Sequence, residues 1–245
     1  MIRSNPVRGK GLTSARLMDE WNMAAKKRSK SRAERTEEMR QSILDASLEL
    51  FIEQGYDKTT TRQILQKVGI LNGSLYNIYR SKDEIFADIA IRALSEAMDM
   101  MDDLIGPNVG IPERVCYLPC IEIFASSRSP RIAELLSVAT ERWDIQRKIS
   151  AFYMERLGSL HPEDRDTMDD PSFVIGMIAY SGAIGAVLRR MSEDQGAMDE
   201  KSVMRVICSI ELKTFDVSMD DLDGYIDRLM DAFETHRIVI CGIQV

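Results

Sequence analysis

The sequence predicts an all-α protein in which a three-helix unit built around a helix-turn-helix precedes a larger helical domain. Three observations carry that reading. Apolar residues recur at spacings of three and four through most of the chain, and no long stretch alternates. Two capping boxes, Thr60-x-x-Gln63 and Ser81-x-x-Glu84, open helices in close succession. Breakers such as Gly55, Gly69, Gly106-Pro107, Ser129-Pro130 and His161-Pro162 punctuate the periodic segments.

Residues 1–12 have no pattern. Thr13 to about Lys27 reads as a short helix with Leu17 and Trp21 one turn apart, and Lys26 to Arg35 as a basic linker. Glu37 to Glu53 places Met39, Ile43, Ala46 and Leu50 on one stripe, widened by Leu44, Leu48 and Phe51, and Gly55 supplies a left-handed stop. The Thr60 box opens a helix with Ile64 and Val68 on one face, and Gly69 ends it. After Gly69-Ile70-Leu71-Asn72, a second short helix, Gly73 to Tyr79, turns Leu75 and Ile78 inward. The Ser81 box then starts a long helix from Lys82 to about Met101. Two short helices joined by a glycine-containing turn and flanked by longer ones make a helix-turn-helix. Beyond Gly106-Pro107 the pattern predicts helices near 112–125 (interrupted by Pro119), 130–157, 171–192, 199–214 and 219–235, and an extended tail from Ile238 to Val245. The domains expected are a basic arm over 1–36, the helix-turn-helix domain over 37–84 and a larger helical domain over 85–245.

Composition narrows the class of protein. Hydrophobic residues make up 44% of the 245 and charged residues 29%, as in a soluble globular chain. Four cysteines are too few for a disulfide scaffold, and no basic stretch followed by an apolar one opens the chain, so a cytoplasmic location is expected. The net charge of −7 conceals a gradient. Residues 1–36 carry ten Lys/Arg against three acids, whereas residues 83–245 carry 16 basic and 30 acidic side chains. A basic arm before an acidic body points to a polyanion at one end only, with a solvated tail as the alternative. Phe173 to Leu188 is uncharged over 16 residues, short of the roughly 20 a bilayer requires, so it reads as a buried or subunit-facing helix with no membrane partner. Cys116 and Cys120 are one turn apart, a weak signal for metal and a common one for buried thiols. No phosphate loop, nucleophile elbow or paired catalytic carboxylates appear, so neither a metal, a cofactor nor an enzyme activity is expected.

The string from Thr59-Thr60-Thr61-Arg62-Gln63-Ile64 through Val68-Gly69-Ile70-Leu71-Asn72-Gly73-Ser74-Leu75-Tyr76-Asn77-Ile78-Tyr79-Arg80-Ser81-Lys82-Asp83-Glu84 resembles the DNA-binding domain of TetR-like, tetracycline-repressor-type, transcriptional regulators. That resemblance implies a three-helix domain that reads a double-stranded operator, and a divergent helical domain that binds a small molecule and forms a homodimer. It implies a regulator, specifically a repressor, released from a palindromic operator by an apolar or amphipathic effector. A helix over 73–79 fits a major groove about 12 Å wide and presents Asn72, Gly73, Ser74, Tyr76 and Asn77 to base edges and phosphates. Thr60, Thr61 and Arg62 at one helix start and Lys82 at another are the expected backbone contacts. The resemblance makes Tyr76 a phosphate clamp and Tyr79 a core aromatic. Leu71 stands where the family generally has Ser or Thr, which leaves the capping role to Asn72.

If the second domain packs as in that family, Met98, Met101, Tyr117, Phe124, Trp143, Phe152, Met177 and Tyr180 line its interior as a ligand pocket, or else form its core. Ala179, Gly182, Ala183 and Ala186 make a small-residue stripe that allows close helix approach, expected at the dimer interface. The alternative is an all-helical sensor or interaction protein without sequence-specific DNA binding, favoured by Leu71 and the net acidity.

Overall fold

The computed structural model describes residues 31–106, 109–160, 171–196 and 198–245. The expected helix over 13–27 and most of the basic arm lie outside the described residues. The described chain is helical apart from a short terminal hairpin. It divides into a unit ending at Ser42 and a unit Ile43–Val245.

Helix α1 (Arg32–Gln54), whose residues from Ile43 onward belong to the second unit, begins five residues before the expected Glu37. The cause is a capping box that the basic composition concealed. Ser31 Oγ accepts from Glu34 N at 3.1 Å, and Glu34 Oε2 accepts from Ser31 N at 2.7 Å.

The second unit continues through α2 (Thr61–Val68), α3 (Asn72–Tyr76), α4 (Lys82–Ile105), α5 (Ile111–Arg128), α6 (Pro130–Glu141), α7 (Trp143–Leu160), α8 (Pro171–Glu193), α9 (Glu200–Thr214) and α10 (Leu222–Thr235). Two expectations are corrected. Pro119 does not interrupt α5, although it removes one backbone donor. Every residue from Val115 to Ser126 except Glu122 is buried, and that packing holds both flanks of the proline in line. The single helix expected over 130–157 is two, broken at Arg142 in an extended conformation (φ −94, ψ 107). No glycine or proline marks that break. At the break Arg142 places its guanidinium 3.6 Å from Asp57 and 3.5 Å from Asp83.

Within the second unit α6, α9 and α10 pack against α5, while α8 lies along α6 and α7 along α4. Close approach of α8 to α6 depends on Gly185, where an added Cβ would run into the Thr140 side chain. Gly185→Ala is expected to lower stability by about 1–3 kcal/mol through overpacking. A urea midpoint equal to that of the parent would disprove that contact. The tail folds into β1 (Val239–Ile240) and β2 (Ile243–Gln244), paired antiparallel through Ile240 and Ile243. Left-handed Cys241 and Gly242 make the turn between them.

Candidate functional site

The helix-turn-helix forms as its residues dictate. Thr60 Oγ1 accepts from Gln63 N at 3.3 Å and Gln63 Oε1 accepts from Thr60 N at 2.8 Å, so α2 has a complete capping box. Gly69 stops it in the left-handed region (φ 76), donating to Leu65 O at 2.9 Å. Leu71 is the residue before α3, and its side chain makes no capping bond; Asn72 is the first helical residue rather than a replacement cap. The helix is shorter than expected because Ile78 N and Tyr79 N both donate to Leu75 O at 2.8 Å, which tightens the last turn. Leu75, 1% exposed, fixes α3 to the domain. Asn72, Gly73, Tyr76 and Asn77 remain exposed on the other side, and Ser74 is half-buried. Thr60 and Arg62 are exposed and Thr61 half-buried at the start of α2.

Behind that face is an aromatic hub centred on Tyr56. Its ring lies 5.3 Å from Phe51 and 5.0 Å from Phe86, and Phe86 meets Phe51 edge-on at 5.4 Å. The Tyr56 hydroxyl donates to Asp83, while burial and then that carboxylate push its pKa up. Lys82 Nζ donates to Tyr56 O at 2.7 Å and Thr59 O at 2.9 Å, and sits 3.9 Å from the Tyr56 ring centroid. Burial draws this ammonium below the usual lysine range. Lys82 therefore ties the start of α4 to the loop before α2. Tyr79 is buried and donates to Asp88 Oδ2 at 2.9 Å, as a core aromatic does.

A cavity of about 220 Å³ lies deeper in the same unit. Its walls are mainly apolar, from Phe86, Leu94, Leu118, Leu135, Ile149 and Ile184 among others, with hairpin residues Ile240 and Ile243 also facing it. Two carboxyls interrupt this lining, Glu122 of α5 and Glu211 of α9. Glu211 is 1% exposed. Its Oε1 accepts a long 3.5 Å bond from the Tyr153 hydroxyl, and its Oε2 has no partner. Burial raises the Glu211 pKa well above the ordinary value, and desolvation among the apolar cavity walls raises that of the half-buried Glu122 to about 7. The folded protein therefore holds a proton on Glu122 that the unfolded chain releases from pH 4.5 upward. Stability should fall as pH rises from 4.5 to about 7, and Glu211 acts in the same direction. Glu122→Gln is expected to flatten that part of the curve, measured as the urea midpoint against pH. Superimposable curves for parent and variant would contradict it.

The family described as bacterial regulatory proteins, tetR family, matches residues 43–89, which contain the helix-turn-helix and its hub. The chain is TetR-like. An HTH-type transcriptional repressor of Mycobacterium tuberculosis, Rv1474c, is 30% identical over 125 aligned positions, covering 44% of the TetR-like chain and 66% of that protein. The regulator SrpR of Pseudomonas putida is 38% identical over 73 positions, 29% of this chain and 34% of SrpR. The class D tetracycline repressor of Escherichia coli is 38% identical over 60, covering 24% and 28%. The TetR-like chain thus spans 28–66% of the length of these relatives. A solved putative TetR-family regulator from Syntrophomonas wolfei is 19% identical with a TM-score of 0.48, covering 75% of this chain and 98% of its own.

In this TetR-like chain the sequence-derived residues are only partly brought together. Of the ligand candidates, Met177 and Tyr180 line the cavity. Met98, Met101, Tyr117 and Phe124 are buried in the core without lining it, Phe152 packs partly buried beside that core, and Trp143 is 63% exposed. Of the small-residue stripe, Ala179, Gly182 and Ala186 are exposed and Ala183 half-buried. Glu122 and Glu211 were missed, though a signal was present. Glu211 occupies an apolar-face position after Met204, Ile207 and Cys208, and Glu122 stands between Ile121 and Ile123. Cys116, Cys120 and Cys208 are buried free thiols, with 3.6 Å between the Cys120 and Cys208 sulfurs. Among the described residues no group of three or more His, Cys, Asp or Glu is placed to hold a metal.

Proposed function

We propose that this chain is a homodimeric, ligand-responsive transcriptional regulator that holds a palindromic operator through α3 and releases it, as a repressor, when a small molecule fills the cavity. The observation that carries this reading is the outward face of α3. Leu75 anchors that helix while Asn72, Gly73, Tyr76 and Asn77 stay open beside Thr60 and Arg62, and side chains of this type read base edges and phosphates. Lys82, with two donors committed to carbonyls, retains one for a phosphate. Thr61 and Ser74 complete the face. Such a regulator works in the cytoplasm, on DNA.

The cavity and the reading head share a wall. Phe86 lines the cavity on one side and packs against Phe51 and Tyr56 on the other. A ligand that displaces Phe86 or the neighbouring turns of α4 moves the hub to which Lys82 and Asp83 are tied, and so shifts α2 and α3. Coupling of this kind is reciprocal, so the effector binds the operator complex more weakly by the factor, typically about 5–150, by which it weakens operator binding.

The dimer is supported by α8, which leaves Val174, Ile175 and Ile178 exposed in line with Ala179, Gly182 and Ala186. This helix has the length and hydropathy of a membrane span and leaves most of its apolar stretch unburied, and a second subunit covers such a face in a soluble protein.

The test is selection of bound DNA from random duplexes. A palindrome with half-sites about 34–36 Å apart, or a multiple of that, is expected. No enriched sequence would favour a helical sensor without specific DNA binding. Asn77→Ala should then cost about 1–3 kcal/mol at one base position and relax preference there, whereas Arg62→Ala should weaken all sequences and reduce the salt slope by about one. Unchanged binding by both would remove the assignment.

A further inference from the structure

The cavity contains chemistry that an apolar effector alone would leave unused. Glu211 is nine-tenths or more buried, faces the cavity and has an unpartnered Oε2. Such an atom carries a desolvation penalty until a donor or a positive charge reaches it. Glu122, on a different helix, lines the same space. Among the described residues lining it there is no Lys, Arg or His. An anionic effector would meet two carboxyls and no base; a neutral hydrocarbon would leave Oε2 as it is. Tyr153 and Tyr180 add two aromatic rings to the same walls, and ring faces attract a cation in a desolvated site.

We propose that the effector is a small apolar organic cation whose positive charge is taken by Glu211 and Glu122 while its hydrocarbon part fills the space between α4, α5, α6 and α8. This rests on the ligand-responsive reading above and names the chemistry of its ligand. The cavity volume of about 220 Å³ falls below the roughly 300–1,000 Å³ of pockets for drug-sized molecules, which sets a small size. Among the described residues the titratable groups around Glu211 are the Tyr153 and Tyr180 hydroxyls, the Cys116 and Cys208 thiols and the Glu122 carboxyl. None of these supplies a positive charge, so the carboxyl stays protonated. Arrival of a cation breaks the O–H bond of one carboxyl, sends that proton to the buffer and leaves a carboxylate paired with the ligand. Binding therefore releases about one proton and strengthens as pH rises, until the carboxyl ionises without ligand.

Calorimetry on the full chain tests this with three probes of similar shape: benzyltrimethylammonium, its uncharged carbon isostere neopentylbenzene, and the anion benzylsulfonate. The cation should bind about tenfold or more tightly than the isostere. The anion should not bind. The observed heat of cation binding should differ between phosphate and Tris buffers by the ionisation heat of the released proton. Glu211→Gln should reduce cation affinity by about tenfold or more and spare the isostere; if that variant does not fold, Glu122→Gln and the ranking of probes on the parent decide. Isostere affinity equal to or above that of the cation, or binding of benzylsulfonate, overturns the proposal. Operator binding measured on the same preparation without probe separates the two readings. Failure there removes the regulator, whereas a failed ranking with intact operator binding removes only the cation.

Discussion

Replacing Tyr56 by alanine is expected to cost about 3–5 kcal/mol of stability, among the largest effects of any single truncation in the chain. The side chain is fully buried. It also joins α1 to the start of α4. Its ring fills the gap between Phe51 and Phe86, and its hydroxyl holds Asp83 at the start of α4. Arg142 stacks 4.8 Å above the ring while pairing with Asp57 and Asp83. Removal leaves a cavity beneath the turn and takes the hydroxyl from Asp83, while the Lys82 bonds to the backbone carbonyls of residue 56 and Thr59 remain. Tyr56→Phe isolates the hydroxyl and should cost about 1 kcal/mol. Denaturant unfolding measures both. An alanine variant within about 0.5 kcal/mol of the parent would show that the hub is not what holds the reading head.

The second large effect is expected at Ile178. Glutamate there should leave the chain folded, because the side chain is 54% exposed and turned from the core, yet it should separate the subunits. A charge at the centre of an apolar interface typically disrupts a site worth about 2–4 kcal/mol or more. Palindrome affinity should fall with it, since two linked half-sites become independent. Gly182→Leu serves as a companion, for among the described residues nothing outside its own stretch of helix lies within 4 Å of an added Cβ, so a loss of association points to the partner. Sedimentation with circular dichroism tests both. If the parent is a folded monomer at micromolar concentration, or the Ile178 variant remains a dimer that holds the palindrome, this helix is not the interface.

Much of the reading head was determined by the sequence, because its signals are local. A capping box such as Thr60 with Gln63 acts over three residues, and a left-handed glycine such as Gly69 acts at one. The alternation of Ile64 and Leu75 inward with Asn72 and Asn77 outward follows from helical periodicity. The layout of the later helices was legible on the same basis. The break at Arg142 was not, since no glycine or proline marks it and the groups that Arg142 meets there, Asp57 and Asp83, are remote in the chain. The cavity was decided in the same way. Met98 and Met101 repeat with helical period whether they face a core or a pocket, and periodicity carries no information on which neighbour a face meets. Packing assigned them to the core and brought Glu122 and Glu211, 89 residues apart in number, to one wall. A carboxyl on an apolar stripe shows in the sequence as an anomaly; only the surrounding helices, by burying Glu211 and, among the described lining residues, offering no base, give that anomaly its chemistry.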